Sequence, residues 1–149
     1  MISDSEKNKI EIIEIDLAED IDSYGAMVCD FNTFKSIYRL NARTLDRQPL
    51  KVVLAMINVI DNDALAESDP YSINRIGAAL TNSLRRQDVL TGFDTSQFLI
   101  MLSNITIDDA RKVLDRLLVR INSELGREVH LETRLQILEP IRKDSALNT

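Results

Sequence analysis

Residues 85–102, with the sequence RRQDVLTGFDTSQFLIML, decide the fold. Two short apolar runs, residues 89–93 and 98–102, are separated by four polar residues, which is the pattern of a β-hairpin. The second run is apolar at every position, and a strand that is apolar on both faces lies in the interior of a covered sheet. We therefore predict a hairpin whose second strand is central.

A second apolar strand and an amphipathic helix precede the hairpin. Residues 50–60 include a run that is apolar on both faces, which predicts another central strand. Residues 61–72 are polar, contain Pro70 and predict a loop. The helix that follows carries Arg85 and Arg86 in its last turn, where cations complement the helix dipole. Its apolar stripe consists of Ile73, Ile76, Leu80 and Leu84.

The N-terminal part of the sequence predicts a long helix after a shorter segment. Residues 10–17 alternate apolar and acidic side chains and predict either a short strand or the end of a linker helix. Residues 23–47 predict a helix, which Pro49 ends. Its apolar positions are Met27, Phe31, Phe34, Tyr38 and Leu45. We interpret its aromatic side chains as packing residues rather than as a platform for nucleotide stacking.

The C-terminal part predicts one helix and one strand. Thr106 is the expected N-cap of the helix, an acidic first turn follows, and the helix ends near Gly126. Its inward positions are Ala110, Val113, Leu114, Leu117, Leu118 and Ile121. Residues 129–137 alternate and predict a strand with one solvent-exposed face, on which His130 lies.

The predicted order is helix, strand, helix, hairpin, helix and strand, which indicates a single α/β domain whose sheet is covered by helices. We assign this domain to residues 23–139. Residues 1–22 are an N-terminal linker or short strand, and residues 140–149, which begin with Pro140, are a polar C-terminal tail.

Composition narrows the classes of function. The 149 residues carry a formal net charge of −6, which argues against general electrostatic binding of nucleic acid or of an anionic membrane. The single cysteine, Cys29, cannot form an internal disulfide, and we predict a half-buried helical thiol. One histidine cannot build a His-rich metal site, and no apolar run approaches the length of about 18 residues that a membrane span needs. We predict a cytoplasmic protein.

Residues 85–98 carry two motifs at a fixed spacing. Arg85 and Asp88 form an Arg-x-x-Asp pair, and Asp88 lies six residues before Asp94. Over residues 25–138 this layout resembles the GGDEF family of nucleotidyl cyclases, bacterial enzymes that make cyclic di-GMP from two GTP molecules. The resemblance implies the family's palm-like fold, a central mixed sheet flanked by helices and related to ferredoxin-like folds. The family signature, Gly-Gly-Asp/Glu-Glu-Phe, is replaced here by Asp94, Thr95, Ser96, Gln97 and Phe98.

The replaced signature implies that catalysis is lost. The family's reaction needs two hard cations, which are held by an aspartate at the end of the first central strand and by an acidic signature residue. Here the strand position offers Asn58 and the signature offers Ser96 and Gln97, which hold Mg²⁺ poorly. Asp94 and Thr95 fill the space of two glycines that let the nucleotide approach the backbone, and the guanine-binding loop motifs are missing after that strand. We predict no cyclase activity, no catalytic or metal-binding residue and no cofactor.

Two interpretations of Arg85 and Asp88 stay open. In the family, Arg-x-x-Asp binds cyclic di-GMP at an inhibitory site that is separate from catalysis. An arginine can donate to guanine O6 and N7 while a carboxylate accepts from N1 and N2, so the resemblance implies a ligand site here. Alternatively, Arg85 caps the end of its helix and pairs locally with Asp88.

The sequence therefore leaves three hypotheses within bacterial cyclic-dinucleotide signalling. The first is a catalytically inactive module that contacts a protein partner or a second copy of itself. The second is a receptor that binds cyclic di-GMP through Arg85 and Asp88. The third is an enzyme with altered chemistry, in which Asp61, Asp63 and Asp94 form a rebuilt acidic metal site.

Overall fold

The structure is a computed structural model that describes residues 3–18, 25–45, 47, 51–60, 70–126 and 129–139. In chain order its elements are α1 (Asp4–Leu17), β1 (Met27–Val28), α2 (Phe31–Thr44), β2 (Val52–Ile60), α3 (Pro70–Ser83), β3 (Val89–Phe93), β4 (Gln97–Ser103), α4 (Ile107–Leu125) and β5 (His130–Ile137). None of the helices in these ranges combines the length and the hydropathy that a membrane crossing requires.

The strands form one mixed sheet in the order β1-β3-β4-β2-β5. β1 runs parallel to β3, and the other neighbours are antiparallel. β3 and β4 form the predicted hairpin, and β2 and β4 are both interior strands. All five residues from 98 to 102 are buried, as their unbroken apolar run predicted. The α/β class, with a mixed sheet flanked by helices, is therefore confirmed.

Helices cover the two faces of the sheet with separate cores. On one face, α3 and α4 pack their apolar stripes on the sheet around Leu80, Ile100 and Ile121, each fully buried. On the other face, α2 packs Phe34 against side chains that include Leu99 and Met101. Successive side chains of β4 thus enter opposite cores, which is why every position of that strand is apolar.

The ends of α4 follow the prediction. The Thr106 hydroxyl accepts a hydrogen bond from the backbone N–H of Asp109 at 3.2 Å, which caps the first turn. Gly126 ends the helix in the left-handed conformation, with φ of 65°. Four of the predicted inward residues are buried, and Val113 and Leu118 are half-buried.

Gly25, which precedes β1, occupies a position where any other residue would be strained. Its φ is 85°, and a Cβ atom added to it would lie 2.3 Å from the carbonyl oxygen of Thr81. That carbonyl accepts the backbone N–H of Ala26 at 3.0 Å, so the two segments cannot separate without losing this bond. The close approach joins the start of the sheet to the end of α3.

We expect the substitution Gly25→Ala to lower the free energy of unfolding by about 3 kcal/mol, since strain at a positive φ is added to a backbone collision. Urea denaturation followed by circular dichroism measures the change. Gly126→Ala is the matched control, because its φ is also positive but no atom lies within 4 Å of its added Cβ. The control is expected to cost about 1 kcal/mol. Equal costs for the two variants would contradict the close approach.

The predicted N-terminal helix and strand boundaries were partly wrong. Of the two structures predicted for residues 10–17, the helix is confirmed, because these residues end α1, which begins at the capping box of Ser3 and Glu6. The helix predicted over residues 23–47 is shorter, because the Asp30 carboxylate accepts the Thr33 N–H at 2.7 Å and sets the start of α2. The two residues of β1 precede it and pair with β3.

Differences also occur around α3 and β5. α3 begins at Pro70, inside the predicted loop, and ends at Ser83, so Arg85 and Arg86 lie beyond its last turn. β5 is an edge strand on which only Leu131 and Leu135 are partly covered. Side chains on both faces of this strand are therefore exposed. His130 is exposed, as predicted. The predictions for residues 61–69, which include Asp61 and Asp63, for Pro49 and for residues 140–149 concern positions outside the described residues.

Candidate functional site

Residues 94–98 form the tip of the β3–β4 hairpin and the start of its second strand. Asp94 adopts a left-handed backbone conformation with φ of 63°, which aspartate tolerates better than most residues. Its Oδ1 accepts the backbone N–H of Thr95 at 2.8 Å and so stabilises the turn. Asp94 and Thr95 are exposed, Ser96 and Gln97 are half-buried, and Phe98 is buried. The turn therefore presents two polar side chains to solvent, at the positions where the resemblance implies glycines.

The end of β2 lies directly against this turn. Asn58 is the partner of Gln97 across the β2–β4 ladder, and the N–H of Val59 donates to the carbonyl oxygen of Ser96 at 2.9 Å. Two of the positions at which the resemblance implies acidic residues, Asn58 and Gln97, are thus neighbours and carry neutral amides. The third, Ser96, carries a hydroxyl. The Oδ1 atom of Asn58 is buried and has no hydrogen-bond partner among the described residues.

The described residues contain no group of three or more histidine, cysteine, aspartate or glutamate side chains that could hold a metal ion. Asp94 is the only one of the three proposed carboxylate ligands in the described ranges, and its Oδ1 is engaged by the turn. The donors that the structure does place beside the turn, Asn58 and Gln97, are amides, which bind Mg²⁺ more weakly than carboxylates.

Arg85 and Asp88 form a tight local pair between the end of α3 and β4. Asp88 Oδ2 accepts from the backbone N–H of Arg85 at 2.9 Å and from its Nε at 3.3 Å. Asp88 Oδ1 accepts from Arg85 Nη2 at 3.2 Å and from the backbone N–H of Ser103 at 3.3 Å. Arg85 Nη2 also donates to the carbonyl oxygen of Ser103 at 2.6 Å. The Asp88 side chain is 1% exposed, so its carboxylate holds four donors inside the protein.

The other side of Arg85, whose side chain is 45% exposed, borders a cavity of about 520 Å³. The cavity is lined by Arg85, Asn104, Ile105, Asp109, Lys112, Val113 and Arg116. Asp88 is not among them. Three cations therefore face the cavity with one carboxylate, and Asp109 lies 3.9 Å from the Nζ atom of Lys112. The volume falls within the range of small-molecule sites, and the charges favour an anion.

The sequence did not assign Lys112 and Arg116 to a site. A signal was present, because the two cations stand four residues apart in a predicted helix and so share one face. What brings them to Arg85 is the packing of α4 beside α3, a tertiary contact that the local spacing does not specify.

Two of the three aromatic side chains of α2 pack in the core, as predicted, and the third, Phe31, is 38% exposed. Phe34 is buried and Tyr38 is half-buried. The Phe31 ring lies 5.0 Å from the Phe93 ring in a tilted arrangement, which is an aromatic packing geometry. Cys29 is half-buried but lies between β1 and α2 rather than in a helix, so that part of its prediction was wrong. Burial, together with the Asp30 carboxylate, raises the pKa of the Cys29 thiol and keeps it protonated at neutral pH.

No protein-family profile and no curated protein sequence matches this chain. Solved structures do match. The diguanylate cyclase SiaD of Pseudomonas aeruginosa, in complex with its activator SiaC, aligns with a TM-score of 0.71 and 17% identity over 96% of this chain and 60% of that chain. The GGDEF domain of DgcB of Caulobacter crescentus, in complex with cyclic di-GMP, aligns with a TM-score of 0.65 and 8% identity over 87% and 85%.

The GGDEF domain of FimX of Pseudomonas aeruginosa aligns with a TM-score of 0.62 and 15% identity over 81% of this chain and 83% of that chain. At these identities the likeness establishes the fold. The palm-like fold that the resemblance implied is confirmed, and the chain spans 60% of the SiaD chain that it matches.

Proposed function

We propose that this domain is a catalytically inactive GGDEF-like module of cyclic-dinucleotide signalling that acts through protein contacts. The observation that carries the proposal is the pairing of Asn58 with Gln97 across the β2–β4 ladder, because these amides stand at two positions where the resemblance implies carboxylates. Asp94 and Thr95 add side chains at the two glycine positions beside them. SiaD, a structure with the same fold, forms a complex with an activator protein, which supports a role in protein contacts.

Titration of GTP with Mg²⁺ into the purified protein tests the loss of the nucleotide site. We expect no saturable binding, because neutral amides do not offset the dehydration cost of Mg²⁺. Saturable binding that Asp94→Ala abolishes would contradict the proposal and favour the altered enzyme with a rebuilt metal site.

A second candidate function is binding of cyclic di-GMP beside Arg85. The cavity of about 520 Å³ and its three cations favour it, because guanidinium groups bind phosphate oxygens in two-donor geometry. In this arrangement Asp88 holds Arg85 in place from inside the protein, and Arg85, Lys112 and Arg116 contact the ligand. The role of Asp88 then differs from the guanine contact that the resemblance implies, because all of its hydrogen bonds are already made within the chain.

A further inference from the structure

In the described part of the chain, β5 has a strand partner on one side only. It spans eight residues and pairs along its whole length with β2. The pairing is regular, with no bulge, and the strand contains neither proline nor glycine. Soluble proteins usually shorten, bulge or interrupt an edge strand, because an open edge recruits another strand. β1, at the other edge of the sheet, is short in this way, with two residues.

The backbone groups along the open edge of β5 can be assigned to particular residues. The N–H of Leu138 donates to the carbonyl oxygen of Val52 at 2.8 Å, and hydrogen-bonded positions alternate along an antiparallel pair. The backbone groups of the even-numbered residues of β5 therefore face β2. Those of the odd-numbered residues point outward from the edge of the sheet: Leu131, Thr133, Leu135 and Ile137.

The two faces of β5 differ in chemistry. Leu131 and Leu135 are half-buried and pack against the core beneath α3 and α4. Glu132 and Arg134 lie on the opposite face, because side chains alternate along a strand. Both are exposed, and neither forms an ion pair with any described residue. The strand thus offers an apolar strip on one face and two unpaired opposite charges on the other.

The sequence of β5 is complementary to itself when two copies run antiparallel. With Thr133 opposite Thr133, Glu132 lies opposite Arg134 on both sides of the centre, and Leu131 lies opposite Leu135. Opposite charges and apolar pairs at facing positions both stabilise a sheet. The same register brings the outward backbone groups together, since odd-numbered residues then face odd-numbered residues.

Neighbouring registers are less favourable. Moving the centre by one residue also pairs the outward backbone groups, but it places Glu132 opposite Glu132 or Arg134 opposite Arg134. Like charges directly opposite each other are destabilising. Moving the centre further shortens the paired segment. Charge and length therefore select the register centred on Thr133.

We propose that β5 pairs antiparallel with β5 of a second copy of this chain, centred on Thr133, and joins the two sheets into one. The proposal rests on the proposed function, because it supplies a surface through which the module makes protein contacts. Outward backbone groups exchange hydrogen bonds across the symmetry axis, as in strand addition to a sheet edge. A second copy supplies the required order of charges and the spacing of the leucines with the same eight residues.

Sedimentation of the full chain, without any nucleotide, tests the register. We expect a dimer at about 100 µM. Glu132→Arg and Arg134→Glu are each expected to weaken self-association at least about tenfold, because each variant places like charges opposite each other twice in the dimer. The double variant Glu132→Arg/Arg134→Glu restores opposite charges and is expected to dimerise like the native chain. An equimolar mixture of the two single variants is expected to form the mixed dimer for the same reason.

Arg111→Glu is the control for net charge. It changes the charge by the same amount as Arg134→Glu, at an exposed position of α4, and is expected to leave the dimer unchanged.

Proline at position 133 tests the main-chain pairing. The N–H of Thr133 points away from β2, so its removal leaves the β2–β5 ladder intact. Thr133→Pro is expected to keep the native circular dichroism spectrum and to be monomeric. Thr133→Ala, which retains the N–H, is expected to dimerise. Where Thr133→Pro loses the native spectrum, the charge variants still decide.

Four results would overturn this interface: a native chain that is monomeric at about 100 µM, a dimer that survives both single charge reversals, a double variant that fails to associate, and a folded Thr133→Pro that dimerises. Binding of Mg²⁺·GTP, which tests the proposed function, is measured on the same chain and does not depend on any of these results. The failure of the interface and the failure of the proposed function are therefore distinguishable.

Discussion

Replacing Asp88 with alanine is expected to lower the free energy of unfolding by about 3 kcal/mol, among the largest effects of any single side chain here. The carboxylate is 1% exposed and accepts four N–H donors, two of which are backbone groups of Arg85 and Ser103. Its removal leaves those backbone donors without an acceptor and detaches the end of α3 from β4. Urea denaturation followed by circular dichroism measures the loss.

Asp109→Ala is the matched control for this variant. Asp109 is also a carboxylate paired with a cation three residues away, at 3.9 Å from Lys112, but its side chain is 61% exposed. An exposed pair near a helix N-terminus contributes at most about 1 kcal/mol. Equal stabilities of the two variants would show that Asp88 is not a structural residue. They would favour the alternative interpretation, in which Asp88 contacts a guanine of the ligand.

Cyclic di-GMP, if the second candidate function holds, is expected to bind in the cavity beside Arg85 and to depend on cations from two elements. Arg85→Ala and Arg116→Ala should each weaken binding about tenfold to a hundredfold, because a hydrogen bond to a charged group contributes about 1.5–3 kcal/mol. Calorimetric titration of the ligand into each purified variant measures the dissociation constant.

Arg111→Ala is the control for charge alone. Arg111 is exposed on α4 but does not line the cavity, so its removal changes the net charge equally and is expected to leave the affinity unchanged. A loss in Arg111→Ala as large as in Arg116→Ala would indicate unspecific attraction. No binding by the native chain at about 1 mM ligand would exclude the receptor and leave protein contacts as the function.

The sequence predicted those parts of the fold whose residues carry a strong local pattern. Residues 98–102 could be placed in a central strand because every side chain is apolar, and Thr106 and Gly126 mark the ends of α4 by their own chemistry. β1 was missed because two exposed residues have no periodicity, and they pair only because β3 is beside them. The predicted loop extended wrongly over residues 70–72, because Pro70 suits the first turn of a helix as well as a turn.

The candidate site was predictable where it depends on neighbours in sequence and not where it depends on packing. Arg85 and Asp88 are three residues apart, and their local pair was one of two interpretations that the spacing allowed. The burial of Asp88 and its bond to Ser103 come from the position of β4. Likewise, Asn58 and Gln97 are 39 residues apart and meet through the β2–β4 register.

Incubation of the purified chain with GTP and Mg²⁺, with the nucleotides separated by chromatography, tests the central claim that the nucleotide site is lost. The pairing of Asn58 with Gln97 predicts that GTP remains unchanged and that no cyclic di-GMP forms. Asp94→Ala, prepared identically, identifies any activity of a contaminating enzyme, which would be equal in both preparations. Cyclic di-GMP that the native chain forms and Asp94→Ala does not would contradict the account.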